Sequence, residues 1–396
     1  MSHELTHNAP AIFLSRRISR RSCVLLVLAG LAGVAHPVAA QDPIKIGSSV
    51  GLTGYAAVTD RGWRDGLQLA ADALNAKGGV LGKKLELIVE DNKSEPQEAV
   101  VVYKKMMSSD KVGSFNSGCV SAGNFAAAAS VIAAETPMIL CSILPRKPEE
   151  QKWAFSFLPP PRFEIETRYK YLKEKTQIRK IGILHDPTPY GLLMKDIGTK
   201  AAADYGLEVV ATESYKQDDA DMSVQLGRVN AAGGGAIIKI GIGGSTVTTA
   251  KNLKQLGLDK MLLLGSTDDA AIFKPAAESI GDRFMFVAPG VQMPEQIADV
   301  AVREKAMDFL KLWAAKYPDR DGVVAARAWD SVMMMAAAMT ASKATGGAGL
   351  RDAFEKSAPY QGAGAAYAFT AEQHVGIVDN PFTMAVIKDG KLVAVK

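Results

Sequence analysis

The sequence predicts an α/β architecture of two doubly wound, parallel-sheet lobes joined by a multi-crossover hinge, and three observations carry that reading. From Ile44 to Ala288, apolar β-rich runs alternate with amphipathic stretches. The runs are continuous Val/Ile/Leu segments, as parallel strands covered on both faces require. The rhythm is broken once, at Leu158-Pro159-Pro160-Pro161, where consecutive prolines can continue neither a helix nor a central strand.

Taken in order, strands are expected at Ile44–Val50, Leu85–Glu90, Val112–Phe115 and Met138–Cys141 before the prolines. After them come Ile181–His185, Glu208–Ala211, Ala236–Ile240, Met261–Leu264 and Phe284–Ala288. Between the first two, Trp63, Leu67, Ala70, Ala71 and Leu74 recur at helical spacing and give Gly62–Ala76 one buried face. After Ala288 the pattern changes to long helices at Gln296–Lys316 and Val323–Lys343 and a short one near Leu350–Ser357. Strand-like Ala366–Phe369, Thr383–Lys388 and Leu392–Val395 close the chain. These late segments need a surface to pack on, so the long helices are expected to return to the first lobe and the terminal strands to the second. The expected division is 41–158 with 291–365 as the first lobe, and 159–290 with 366–396 as the second.

The first 40 residues stand apart. Arg16, Arg17, Arg20 and Arg21 precede an apolar run at Val24–Ala35, and Val38-Ala39-Ala40 supplies small residues at a cleavage position. A bilayer-spanning helix needs about 20 apolar residues, and this run is shorter. It reads as a secretory signal peptide cleaved before Gln41, which implies a periplasmic protein. The formal charge is +4, from 46 Lys+Arg against 42 Asp+Glu. Most of that excess sits in the leader, and a near-neutral remainder without basic blocks offers no footprint for nucleic acid.

After the leader, only Cys119, Cys141, His185 and His374 remain of their types, with no C-x-x-C or H-E-x-x-H spacing. Metal chemistry is therefore not expected, and no cofactor is called for. Cys119 and Cys141 each follow a strand; in an oxidising compartment they either pair or stay as two buried thiols, and spacing alone does not decide. Gly241-Ile242-Gly243-Gly244-Ser245-Thr246 lacks the third glycine of a dinucleotide loop. Met333-Met334-Met335 reads as core filler. His185 stands near Asp186 and Tyr190 without a nucleophile on a G-x-S-x-G turn, so it reads as a hydrogen-bonded cleft residue and not as part of a catalytic dyad. No enzyme is expected.

Open parallel sheets bind ligands beyond the carboxyl ends of their strands. The loop Ser48–Tyr55 follows the first strand, and Asn116–Gly123 follows the third and leads into a helix. Hydroxyls and free N–H groups at a helix N-terminus suit an anion, and a carboxylate is the natural guest. The same residues also serve as ordinary caps and turns.

At this point the residues resemble a known family. Gly51-Leu52-Thr53-Gly54, the stretch Asp65–Lys84 containing Asn-Ala-Lys-Gly-Gly-Val-Leu-Gly-Lys-Lys, and Glu90–Val100 are similar to the opening of branched-chain amino-acid-type periplasmic binding proteins. His185-Asp186 followed by Tyr190-Gly191 resembles that family's second-lobe strand end. The resemblance covers residues 42–396. It implies a type I periplasmic binding fold with three hinge crossovers, and a role as soluble receptor for the membrane permease of an ABC importer.

By the same resemblance, Ser121 falls on the hydroxyl that binds the ligand carboxylate, Ser142 on a residue offering backbone groups, and Tyr190 on the tyrosine that closes over the ligand. Other positions depart from the family: Thr59 stands for a first-lobe tyrosine, Leu144 for a threonine, Ile242 for a second-lobe tyrosine, and Thr267 for the glutamate that pairs with the α-ammonium. Asp268 or Asp269 supplies that carboxylate after a short shift of the alignment; without the shift the ligand lacks an amine. The expected partner is thus an amino acid or another small carboxylate. Segments Lys152–Phe155, Ala328–Ser331 and Asp389–Lys391 resemble a subgroup that takes up aromatic acids, and 2-keto acids fit equally. A stand-alone sensory binding domain is the remaining alternative.

Overall fold

The computed structural model describes residues 42–143, 152–241, 243–266 and 270–395. The expected signal peptide, with Gln41, lies outside the described residues, as do Leu144, Ile242, Thr267, Asp268 and Asp269. Two parallel sheets organise the rest. The first contains β1 (Ile44–Val50), β2 (Leu85–Asp91), β3 (Ser114–Ser117), β4 (Met138–Leu140) and β5 (Ala154–Ser156) in the order β2-β1-β3-β4-β5, every pair parallel. Its helices are α1 (Ala57–Ala76), α2 (Pro96–Lys105) and α3 (Ser121–Ala133).

The second sheet contains β6 (Lys180–His185), β7 (Glu208–Ser214), β8 (Ala236–Ile240), β9 (Met261–Leu264) and β10 (Phe284–Pro289) as a parallel set. Helices α4 (Pro161–Lys175), α5 (Pro189–Ala201), α6 (Ser223–Ala231), α7 (Ser245–Gln255) and α8 (Ala270–Ile280) accompany it. Two residues separate the second lobe from an all-parallel design: Asp389 and Gly390 both adopt positive φ, at 50° and 73°. They turn the chain tail back as a hairpin. Its strands, β11 (Phe382–Lys388) and β12 (Lys391–Ala394), extend the sheet edge beside β10 in antiparallel sense.

The prolines act as their chemistry dictates. Pro161 is the first residue of α4, the helix position where a missing N–H costs nothing, so the break between sheets is also a helix start. The chain passes between the sheets three times: after β5, after β10, and between Ile377 and Phe382. The long helices α9 (Val300–Lys316) and α10 (Val323–Ser342) return to the first sheet. There Trp63 and Leu67 of α1 meet Phe309 and Trp313 of α9 and Met335 and Met339 of α10 in one core. Helices α1 and α10 touch at backbone distance, since a Cβ on Gly66 would stand 2.3 Å from the Ala325 carbonyl oxygen. Short α11 (Gly347–Glu355) packs on α10.

One expected assignment is corrected. Ala366–Phe369 does not join the second sheet. Ala366 and Tyr367 pair antiparallel with Tyr360 and Gln361, and Tyr367, Phe369 and Ile377 are buried in the first core. Their aromatic faces find Phe155 and Phe157 there, a larger apolar surface than an outer sheet edge offers. The passage into the second lobe therefore falls after Ile377. Strand β5 is also unannounced by the sequence pattern; its three residues are too short to show a period.

Candidate functional site

Strand ends from both sheets converge on one cavity. Its first-lobe wall holds Tyr55 after β1, Cys119 and Ser121 between β3 and α3, Cys141 and Ser142 after β4, and Leu158 after β5. The second-lobe wall holds Asp186, Thr188 and Tyr190 after β6 and Gln217 after β7. The free space is about 20 Å³, room for about one water molecule. The two walls thus lie close together.

The first wall is built on buried hydrogen bonds. Asp60, fully buried on α1, accepts from the backbone N–H of Gly51 and of Cys119, both at 2.6 Å, and so ties the β1 loop to the β3 loop. Gly118 packs against that carboxylate so closely that a Cβ would lie 2.4 Å from it. Burial pushes the Asp60 carboxyl up to about 7, against the pull of the two N–H groups. Asp91 fastens the same loop from outside by accepting from the N–H groups of Leu52 and Thr53 and from the Thr53 hydroxyl. Cys119 and Cys141 form a disulfide, S–S 2.00 Å, that clips the ends of adjacent β3 and β4. The open alternative of the sequence reading is thereby resolved toward pairing.

The polarity of Ser142 follows from its neighbours. Asn124 donates from Nδ2 to the Gly118 carbonyl at 2.8 Å and to Ser142 Oγ at 2.9 Å, while its Oδ1 accepts from the Tyr103 hydroxyl at 2.8 Å. A carbonyl only accepts, so the amide orientation is fixed. Ser142 Oγ therefore accepts from Asn124 and has its own proton to donate. Ser121 opens α3 on the same wall, where the unpaired N–H groups of the first helical turn favour negative charge.

On the opposite wall, Asp186 follows β6 directly and is 1 % exposed. Thr188 donates to it from N–H and hydroxyl and caps α5 by accepting from Gly191 N–H at 3.1 Å. Burial raises the Asp186 carboxyl above its ordinary value; the Thr188 bonds and the Lys239 charge act in the other direction. Tyr190 donates to Glu164 Oε2 at 3.4 Å, and Glu164 also accepts from the Ser266 N–H and hydroxyl. Burial, with the Glu164 charge, holds the Tyr190 phenol well above its usual range. Burial does the same for Tyr55, with the charges of Asp186 and Asp60 adding to it.

Among the residues singled out from sequence, Ser121, Ser142 and Tyr190 stand together on the cavity. Thr59 does not: it is buried in the first turn of α1, and Tyr55, one helical turn earlier, reaches the cavity instead. Leu144, Ile242, Thr267 and Asp268 lie outside the described residues. Sequence reasoning reached Tyr55 only as the end of the Ser48–Tyr55 loop, and it assigned no role to Thr188 or Gln217. Gln217 sits just past the carboxyl end of β7, and the strand-end rule points there. Among the described residues no group of side chains is arranged to hold a metal ion, and no helix is long and apolar enough to cross a membrane.

The model of one family, described as periplasmic binding protein, matches residues 43–391. The chain belongs to that family. A Pseudomonas aeruginosa leucine-, isoleucine-, valine-, threonine- and alanine-binding protein is 26% identical over 274 residues, covering 67% of this chain and 72% of the relative. An extracellular ligand-binding receptor from Rhodopseudomonas palustris superposes with a TM-score of 0.81 at 22% identity, over 89% of this chain and 99% of that one. The branched-chain amino acid transporter substrate binding protein LivJ from Streptococcus pneumoniae, in complex with isoleucine, gives 0.77 at 26% identity, over 89% of this chain and 98% of its own. These likenesses agree with a two-lobed type I architecture.

Proposed function

We propose that this protein is an exported solute receptor that captures a small carboxylate-bearing ligand between its lobes and delivers it to the membrane permease of an ABC importer of the branched-chain amino-acid type. The observation that carries the reading is Ser142 on the cavity wall with its Oγ accepting from Asn124. The Tyr103–Asn124 chain leaves that hydroxyl its own proton to donate, beside Ser121 at the N-terminus of α3, and the acceptor such a wall seeks is an anion. Binding follows from the closed cavity: the lobes part, the carboxylate docks on the first wall, and Tyr190 with the second wall closes over it. The permease then engages the closed form, in the periplasm. The relative named for amino acids and the neighbour holding isoleucine support a ligand of this size and charge.

Calorimetric titration of the ligand-free protein with small carboxylates tests the reading. Saturable binding that Ser142→Ala weakens by about tenfold is expected, as for a lost donor to a charged acceptor. Carboxylate affinity that is the same with and without the Ser142 hydroxyl contradicts it.

A further inference from the structure

One carboxylate outside the cavity wall joins the two lobes. Asp321 stands in the link between α9 and α10, within Arg320-Asp321-Gly322-Val323. Gly322 turns the chain there at a φ of 70°, and a Cβ on it would stand 2.9 Å from the Trp313 ring. The link is pinned to the first lobe on both sides of Asp321. The Arg320 carbonyl accepts from Trp313 Nε1 at 2.9 Å, and the Arg320 guanidinium pairs with Asp65 of α1 at 2.6 Å. Asp321 Oδ1 accepts from the N–H of Val323 at 3.4 Å, the first residue of α10, whose side chain is buried in the first core.

The other oxygen leaves that lobe. Asp321 Oδ2 accepts from the backbone N–H of Ala270 at 2.6 Å and from Gln292 Nε2 at 2.6 Å. Ala270 is the first residue of α8, which follows β9 in the second lobe, and Gln292 lies in the passage after β10. The Ala270 N–H is one of the donors that a helix start leaves without an intrahelical acceptor, and the helix dipole favours a negative charge at that end. The bond is therefore a charge-assisted one between lobes. It is also sensitive to position, because a hydrogen bond is lost beyond about 3.5 Å.

We infer that Asp321 is the latch of the closed form: its carboxylate caps α8 across the lobes, lets go when they part, and so sets how long a captured ligand is held. This rests on the proposed reading of a receptor whose lobes part and close. The free space between the walls, about 20 Å³, marks the form described as closed. Parting the walls enough to admit a ligand carries Ala270 away from Asp321 by more than about an ångström, and both groups then return to water. Ligand and latch favour the same form, so removing the latch lowers affinity without touching a ligand contact.

Asp321→Ser tests it. A serine keeps the bond from its hydroxyl oxygen to the N–H two residues on, which preserves the start of α10, and is too short to reach α8 as well. Association and dissociation rates are measured by stopped flow with leucine, phenylalanine, 4-methyl-2-oxopentanoate, phenylpyruvate and benzoate, alongside hydrogen exchange of the Ala270 amide and a thermal melt. Expected is dissociation about tenfold faster with association changed by less than about twofold, and an Ala270 amide that exchanges faster while the amides of β8 do not. A merely structural role moves the melt and the β8 amides and leaves dissociation alone. Unchanged dissociation, or a loss carried by association, overturns the latch and leaves the receptor reading standing. If none of these acids binds wild type, the receptor reading fails, and exchange alone decides the latch: an Ala270 amide as fast in wild type as in the variant overturns it. Should Asp321→Ser not fold, Asp321→Asn, which keeps the shape and removes the charge, takes its place with the same outcomes.

Discussion

A serine hydroxyl recognises an anion only when something else occupies its oxygen as acceptor, and Asn124 does this for Ser142. Replacing Asn124 with Asp reverses the polarity: the new carboxylate draws the Ser142 proton to itself and adds a negative charge beside the ligand's own. Asn124→Asp is therefore expected to weaken carboxylate binding by more than about tenfold, and by more than Ser142→Ala does, as titration would read. Ser121→Ala is expected to cost about 1–3 kcal/mol of binding free energy; unchanged affinity removes Ser121 from the site. As cavity positions, Ser121 was legible in the sequence through its place after a strand and through family resemblance, and Ser142 through the resemblance alone. Asp60 was not, because nothing in Val58-Thr59-Asp60-Arg61 marks an aspartate whose two partners lie on other strand ends.

At the scale of elements, two close approaches hold the first wall. The α1/α10 crossing admits only a glycine at 66, because a Cβ there meets the Ala325 carbonyl at 2.3 Å. Gly66→Ala is expected to destabilise the fold by about 3 kcal/mol, as overpacking against backbone does, seen as a lowered denaturant midpoint with ligand contacts untouched. The Cys119–Cys141 bridge spans a sequence separation of 22 residues. Its replacement by two serines is expected to cost about 3 kcal/mol of stability and to weaken ligand binding as well, since both cysteines line the cavity. The positions of most strands, the helix face of Trp63 and Leu67, and the proline break were readable because periodicity and proline chemistry are local. The three-residue β5 and the Tyr360–Tyr367 hairpin were not, because long-range burial of Tyr367 and Phe369 against Phe155 and Phe157 decides them. Thr59, buried in the first turn of α1, shows the same limit: residue type alone does not say which turn of that helix enters the core.

Across the whole molecule, stability and pH are linked through two buried carboxyls. Burial pushes Asp60 and Asp330 each up to about 7; Asp330, on α10, accepts from Ala363 and Gly364 N–H and from the Tyr367 hydroxyl. A folded state that keeps these protons after the unfolded chain releases them near 3.8 loses stability as pH rises from about 4 to about 7, and levels off above. Thermal melts are expected to fall across that window, and less steeply in Asp330→Asn. In the proposed function the lobes part about the three passages between the sheets and close upon a carboxylate. The measurement that tests this most directly is calorimetric titration of ligand-free wild-type protein with leucine, phenylalanine and their oxo acids. Saturable one-site binding of a carboxylate, lost or sharply weakened in Asn124→Asp, is the result predicted. No binding of any small carboxylate, or binding indifferent to Asn124, contradicts it.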